Sequence, residues 1–223
     1  MKKINIVTGH YGSGKTNFSA NLAVKLAESG EKVTVVDLDI VNPYFRSADF
    51  LELFGSKNIT HVAPMYANSN LDIPAISFDL ERIASESGYL IIDVGGDDAG
   101  AIALGRYQKA FSEFADDLAI LYVVNCRRFL TRTAEEALSL MYEIEAAAGM
   151  KHTAIVNNTN LLYETTAEVL EASQKFAEEI SEKAGLPIEY TCVPVACMPM
   201  GISAKVTNPF PVEIYVKKIW EKG

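Results

Sequence analysis

Residues 9–16 read Gly-His-Tyr-Gly-Ser-Gly-Lys-Thr, the spacing G-x-x-x-x-G-K-[ST]. This is a pattern for gripping phosphate. Glycines at 9, 12 and 14 let the backbone turn tightly enough for its N–H groups to point at phosphate oxygens. A helix opening at Lys15 brings further unpaired N–H groups and the positive end of its dipole to the same spot. Lys15 is then placed to bridge the β- and γ-phosphates, and the Thr16 hydroxyl to reach Mg²⁺. Gly9, Gly12, Ser13, Gly14, Lys15, Thr16 and Asn17 are the expected nucleotide contacts, with Lys15 also an expected catalytic group.

A magnesium site needs carboxylates. "YLIID" ends in Asp93, at the end of an apolar run that reads as a buried strand. An unpaired carboxylate there is costly, so a cation is its expected partner. Val94, Gly95 and Gly96 follow in a D-x-x-G pattern, in which the Gly96 N–H meets a γ-phosphate and moves when that phosphate leaves. Asp37 and Asp39, in "VVDLD", follow another apolar run. Residues two apart on an extended chain share a face. Both carboxylates are thus expected to look toward one metal–phosphate centre, one holding a metal water and the other orienting the attacking water. The plainer readings are a strand-end cap for Asp93 and an Asp-rich turn at 37–39.

"AIVNNTNL" (154–161) bears on the base. Guanine sites of the N-K-x-D type use an aspartate to accept two ring donors. Asn160 stands at that place and has one acceptor oxygen. Adenine offers an amino donor beside an acceptor nitrogen, which an asparagine amide matches. ATP is therefore expected over GTP, with Asn157 the first choice of base reader and Asn158 the second; both are also ordinary turn formers. "NCRRFLTR" (125–132) gathers Arg127, Arg128 and Arg132 after a strand, either for a phosphate, an anionic substrate or a partner, or as a solvated basic loop. Arg46 is either a catalytic arginine or a partner of Asp49 or Glu52. Cys192 and Cys197 read as buried apolar thiols.

These residues need strands and helices to place them. "KINIVT" (3–8), "KVTVVD" (32–37), "YLIIDV" (89–94), "LAILYVV" (118–124), "HTAIVN" (152–157) and "EYTCVPV" (189–195) are near-continuous apolar runs, as in parallel strands covered on both faces. Phe18, Leu22 and Leu26 mark a helix over 15–29 that Gly30 ends. Thr133 and Glu136 read as a capping box for a helix ending near Gly149, and Thr165 and Glu168 as one for a helix stopped by Gly185 and Pro187. Val212, Tyr215, Val216, Ile219 and Trp220 recur at helical spacing and predict a short terminal helix packed on its own domain. The alternation predicts an α/β fold, a three-layer α/β/α sandwich with a mostly parallel sheet, as one domain over 1–223. The 223-residue chain carries a net charge of −9, against broad use of its surface on nucleic acid or anionic lipid. It shows neither a signal peptide nor a membrane span, and three scattered cysteines suggest a reducing, cytoplasmic setting.

The loop at 9–16, "VVDLD" at 35–39 and "IIDVGG" at 91–96 together resemble the MinD/ParA/CobQ/CobB group of P-loop NTPases, within the SIMIBI class. The resemblance implies that the first strand and the strand ending at Asp93 are neighbours. It also implies ATP binding with Mg²⁺, frequent dimerisation, and hydrolysis that switches a partner. It matches Asp93 to the Walker B aspartate and Asp39 to the residue that positions attacking water, and it places Pro194, in "VPVACMPMG", at the base rim. MinD and ParA carry G-K-G-G-x-G-K-[ST], whose first lysine reaches the nucleotide of a dimer partner. Here His10 stands at that lysine and Tyr11 at the glycine after it, which weakens the case for a homodimer closing over two ATP molecules. The leading expectation is an ATPase switch acting on an unidentified partner. The alternative is a small-molecule kinase or ATP-dependent ligase of the dethiobiotin synthetase type, with the arginines at 127, 128 and 132 gripping an anionic acceptor. A nucleotide-gated binding module with little turnover is the third.

Overall fold

Apolar runs rich in valine and isoleucine bury both faces of a strand when helices cover the sheet on each side. The computed structural model describes residues 1–39, 48–62 and 88–216. Among them eight strands form one sheet: β1 (Ile4–Thr8), β2 (Val33–Leu38), β3 (Thr60–Val62), β4 (Tyr89–Val94), β5 (Leu118–Val124), β6 (Ala154–Asn157), β7 (Ile188–Pro194) and β8 (Pro209–Val212). Their order is β3-β2-β4-β1-β5-β6-β7-β8, and every neighbouring pair is parallel. The helices are α1 (Lys15–Glu28), α2 (Ala48–Ser56), α3 (Asp98–Gly105), α4 (Gln108–Ser112), α5 (Ala134–Ala148) and α6 (Ala167–Ala184).

Alternate side chains divide the core between two faces. Val7, Val35, Ile91 and Leu121 meet Phe18 and Leu22 of α1 and Phe54 of α2. On the other face, Ile6, Val36, Ile92 and Ile120 meet Leu104 of α3, Phe111 of α4 and Ala148 of α5. Tyr122, Val124 and Ile155 meet Leu138 of α5 and Ile180 of α6. The result is the α/β/α sandwich expected from the sequence. β1 lies between β4 and β5, and the winding of the chain reverses there. Such a reversal leaves a crevice outside the carboxyl ends of the strands, where ligands bind in sheets of this kind.

The six expected strands are present, with ends shifted by two residues at most. β3 and β8 were not foreseen. β3 has three residues, too few to show a period, and β8 is "PFPV", whose prolines argue against a strand except at a sheet edge, where it lies. The capping box of α5 forms as read, with Thr133 and Glu136 bonded reciprocally. At α6 the cap is one residue later than expected: Thr166 Oγ1 accepts from Val169 N, while Thr165 Oγ1 donates to Leu162 O. The terminal helix is not found over 212–216, because Val212 ends β8 and 213–216 are held outside any helix by α1. Arg46 and the stretch 217–223 lie outside the described residues. No helix among the described residues is long and apolar enough to cross a membrane.

Candidate functional site

The loop joining β1 to α1 sits at the crevice. Gly9, Gly12 and Gly14 have φ of +143°, +76° and +90°, a region that side chains avoid. Two of them also lack room. A Cβ on Gly9 would fall 2.4 Å from Val123 O, and one on Gly14 would fall 2.2 Å from Asn158 Nδ2. Gly14 is the N-cap of α1 and supplies no capping side chain, so the first N–H groups of the helix are left for an acceptor from outside it. The Ser13 Oγ is buried in the loop without a hydrogen-bond partner. Lys15 is 6% exposed, and its Nζ donates to His10 O at 3.2 Å. Burial lowers its pKa, while Asp93, Asp39 and Asp97 pull it back up. A tight glycine loop around a buried ammonium, with the first N–H groups of α1 open beside it, fits a chain of phosphates.

The carboxylate of Asp93 stands directly behind the loop. Thr16 Oγ1 donates to its Oδ2 at 2.7 Å and Ser19 Oγ to its Oδ1 at 3.1 Å. Ser19 was not foreseen, although its place three residues after Thr16 puts both hydroxyls on one face of α1. Burial pushes the Asp93 carboxyl up to about 6, against Lys15 and the two hydroxyls, which hold it down. A hydroxyl beside a carboxylate is a hard oxygen set of the kind Mg²⁺ takes. Asp39 lines the same cleft. Asp37 is buried near the end of β2 beside Asp93, its register partner on β4, and its Oδ1 accepts from Asp39 N at 2.9 Å, a bond that helps aim Asp39. Gly96 packs against the loop, since a Cβ there would fall 2.6 Å from Lys15 Nζ and 2.7 Å from Tyr11 N. Tyr11 is exposed and lines the cleft. Burial, and then the nearby Lys15, lower the pKa of His10, which keeps it neutral at pH 7.

A buried polar chain supports the root of the loop, and nothing in the sequence spacing announced it. Thr8, the last residue of β1, places its Oγ1 2.7 Å from His152 Nε2. His152 Nδ1 is 3.2 Å from Glu145 Oε1, which also accepts from His152 N at 3.0 Å, and Lys151 pairs with Glu145 Oε2. Burial pushes His152 down to about 4, against Glu145, so the ring is neutral. Neutral imidazole donates once: Nδ1–H goes to the carboxylate, and Nε2 accepts from Thr8.

Away from the loop the cleft, about 640 Å³ in volume, turns apolar along Leu162, Cys192, Pro194, Val212, Ile214 and Val216. Pro194, which the resemblance assigns to the base rim, lines this end of the cleft. Asn157 does not. Its Nδ2 donates to Ser173 Oγ at 2.9 Å, and its Oδ1 accepts from Thr159 N at 3.2 Å. Asn157 is fully buried and joins β6 to α6, because a residue inside the strand alternates away from the one after it. Asn158 lines the cleft, with Nδ2 donating to Ser13 O at 2.8 Å. Asn160 also lines it, with Nδ2 donating to Asn158 O and Oδ1 accepting from Leu162 N. The apolar wall is tied to α1 by two asparagines one turn apart. Asn21 exchanges both bonds with the backbone of Glu213, and Asn17 donates to Glu213 O and accepts from Tyr215 N. Asn17 therefore also lines the cleft while serving the wall. Cys192 and Cys197 are buried, and burial raises both thiols.

Residues 4–187 match the family described as the CobQ/CobB/MinD/ParA nucleotide binding domain. The tyrosine-protein kinase YwqD of Bacillus subtilis is 42% identical over 52 residues, 23% of this chain and 22% of that protein. An uncharacterized ATP-binding protein of Methanocaldococcus jannaschii is 60% identical over 37 residues, 17% and 14% of the two chains. Among solved structures, the signal recognition particle receptor FtsY of Elizabethkingia anophelis superposes with a TM-score of 0.57 at 19% identity, over 86% of this chain and 58% of that one. Chloroplast FtsY of Physcomitrella patens gives 0.58 at 18% identity, over 86% and 58%. The chain spans 58% of these structures and 22% or less of the curated relatives, and the structural likeness is one of fold. The family match runs from the first strand to the turn before β7 and takes in the loop at 9–16, Asp39, Asp93 and Gly96. The chain belongs to the CobQ/CobB/MinD/ParA family of nucleotide-binding domains, and it carries a histidine where MinD and ParA have their first loop lysine.

Proposed function

We propose that this nucleotide-binding domain is a Mg²⁺-dependent ATPase whose turnover switches a partner. The observation that carries the reading is the contact between Thr16 Oγ1 and Asp93 Oδ2, 2.7 Å long, at the foot of a glycine-lined loop around Lys15. The loop N–H groups and Lys15 hold the β- and γ-phosphates. Thr16, backed by Asp93, holds Mg²⁺, which neutralises charge on the phosphates. Asp39 orients a water; its oxygen bonds to the γ-phosphorus as the bond to the β-phosphate oxygen breaks, leaving ADP and inorganic phosphate. Gly96, packed on Lys15 and Tyr11, senses the γ-phosphate. Asp97, beside it, caps α3 by accepting from Gly100 N at 2.9 Å, and α3 packs on α5, which gives the signal a rigid element to move.

ATP is favoured over GTP because Asn160 stands where a guanine site would carry its aspartate and lines the cleft with Asn158, and the ATP-binding M. jannaschii relative points the same way. Asn158, whose Nδ2 is engaged by Ser13, is the base reader in this proposal. Lys15→Ala should abolish both ATP binding and turnover, measured by calorimetric titration and phosphate release; unchanged turnover defeats the proposal. GTP that competes better than ATP defeats the choice of base. A small-molecule kinase is the second reading, supported by Arg127 and Arg128 in the same cleft and by the kinase name of the B. subtilis relative. Its mark would be slow hydrolysis raised strongly by one anionic metabolite.

A further inference from the structure

The loss of the MinD/ParA lysine leaves the phosphate loop one cation short, and the neutral His10 does not replace it. The loop after β5 brings another cation to the same place. Arg128 lies over the phosphate loop: its Cδ and Nε are 3.8 Å from where a Cβ on Gly12 would stand, and its side chain lines the cleft shared by Lys15, Thr16 and Asp39. Gly12 thus leaves room for the arginine stem. The loop that carries it is held by buried polar groups. Asn125, fully buried at the end of β5, accepts from Arg128 N at its carbonyl (3.2 Å) and from Arg127 N at its Oδ1 (3.0 Å). Thr131 Oγ1 donates to the same Asn125 carbonyl at 2.8 Å, and Cys126 N donates to Thr159 Oγ1 at 3.2 Å. Leu130 completes the turn at φ +64°, a strained value for a branched side chain that the surrounding bonds sustain.

Among the described residues, neither Arg127 nor Arg128 forms an ion pair with a carboxylate, although the chain as a whole is acidic. Arg132, by contrast, stands over the ring of Phe129 at 6.0 Å and does not line the cleft. A guanidinium with no carboxylate, carried beside the phosphate loop, can offer its planar pair of N–H groups to two oxygens of a phosphate at once.

We propose that Arg128 binds the terminal phosphates of the nucleotide in cis, supplying from the loop after β5 of the same chain the positive charge that MinD and ParA draw from a second subunit. The inference rests on the ATPase reading above. It makes phosphate stabilisation independent of dimerisation, with the guanidinium taking up negative charge on the transferred group as that charge develops.

The test compares wild type, Arg128→Ala, Arg128→Lys and Arg132→Ala by titration with ATP, ADP and AMP, and by phosphate release across protein concentrations. Arg128→Ala should weaken ATP by about tenfold or more, ADP by less, and AMP by under about twofold, with turnover down by about a hundredfold. Arg128→Lys should recover part of the ATP affinity, and Arg132→Ala should match wild type. The thermal midpoint should not move, because Arg128 is exposed and makes no side-chain bond within the fold. Wild-type turnover per chain should be flat with protein concentration. ATP and ADP affinities of Arg128→Ala within about twofold of wild type would overturn the assignment alone. Turnover that rises with protein concentration and is lost on mixing with the variant would overturn the cis geometry. A wild-type chain that binds no ATP would defeat the ATPase reading itself, and this inference with it.

Discussion

The two ends of the cleft are built on different principles. The phosphate end is largely backbone: four adjacent strands, β2, β4, β1 and β5, deliver a loop of glycines, one buried ammonium and the buried carboxylates Asp37 and Asp93. Its phosphate loop is contiguous in the chain because N–H groups on successive residues are what cradle an anion. The far end is side chains: Leu162, Cys192, Pro194, Val212, Ile214 and Val216, from three separate segments between residues 162 and 216, the last of them tied to α1 by Asn17 and Asn21. A backbone site fails when a side chain is added. A side-chain site loses affinity in small steps as atoms are removed.

Acid should separate the two ends most. His152, which supports the root of the phosphate loop through Thr8, is neutral in the fold down to about 4, against an ordinary value of 6.5. The unfolded chain binds the extra proton across that window, so this contribution is complete above pH 6.5 and is lost as pH falls toward 4. It amounts to roughly 3 kcal/mol. Denaturant melts at pH 7 and pH 4.5 should show the loss in wild type and a smaller one in His152→Gln. Equal losses would mean that the buried chain behind the loop does not govern acid stability.

Gly14→Ala comes next. The new Cβ combines a left-handed φ with a 2.2 Å approach to Asn158 Nδ2, and ATP affinity should fall by about thirtyfold. Gly30→Ala shares the left-handed φ, at +85°, but meets nothing within 4 Å. It should lose about 1 kcal/mol of stability and leave binding alone. Equal binding losses in the two variants would remove the cradle's special status. The smallest effect tests the far end. Asn157→Ala should destabilise the fold by about 1 to 2 kcal/mol, by stripping Ser173 and Thr159 of a partner, with the ATP-to-GTP preference unchanged. Asn158→Ala should alter that preference. A changed preference in Asn157→Ala would return base reading to Asn157.

The sequence disclosed the phosphate end far better than the far end, for the same physical reason. Gly9 to Thr16 is one contiguous stretch with a fixed spacing, and Asp93 closes a strand that reads plainly as buried. Ser19 was within reach, one turn beyond Thr16. Asn157 and Asn158 are neighbours at a strand end: the side chain of Asn157 goes to the local turn and to α6, while that of Asn158 faces the cleft. Composition cannot distinguish those neighbours; the pleat does. The Thr8–His152–Glu145 chain joins residues 144 and 7 apart in sequence with no recurring spacing, so only the parallel packing of β1, β5 and β6 reveals it.

The prolines of β8 bear on how this molecule can meet its own copies. Thr191, Cys192, Val193 and Pro194 of β7 pair in register with Pro209 to Val212, and in a parallel strand alternate N–H groups point to opposite sides. The ladder to β7 must draw on Phe210 and Val212, because Pro209 and Pro211 have no N–H to give. The N–H positions on the outward margin of β8 are the two prolines. A neighbouring strand approaching this margin finds acceptors and no matching donors, so growth of the sheet from molecule to molecule is blocked on that side.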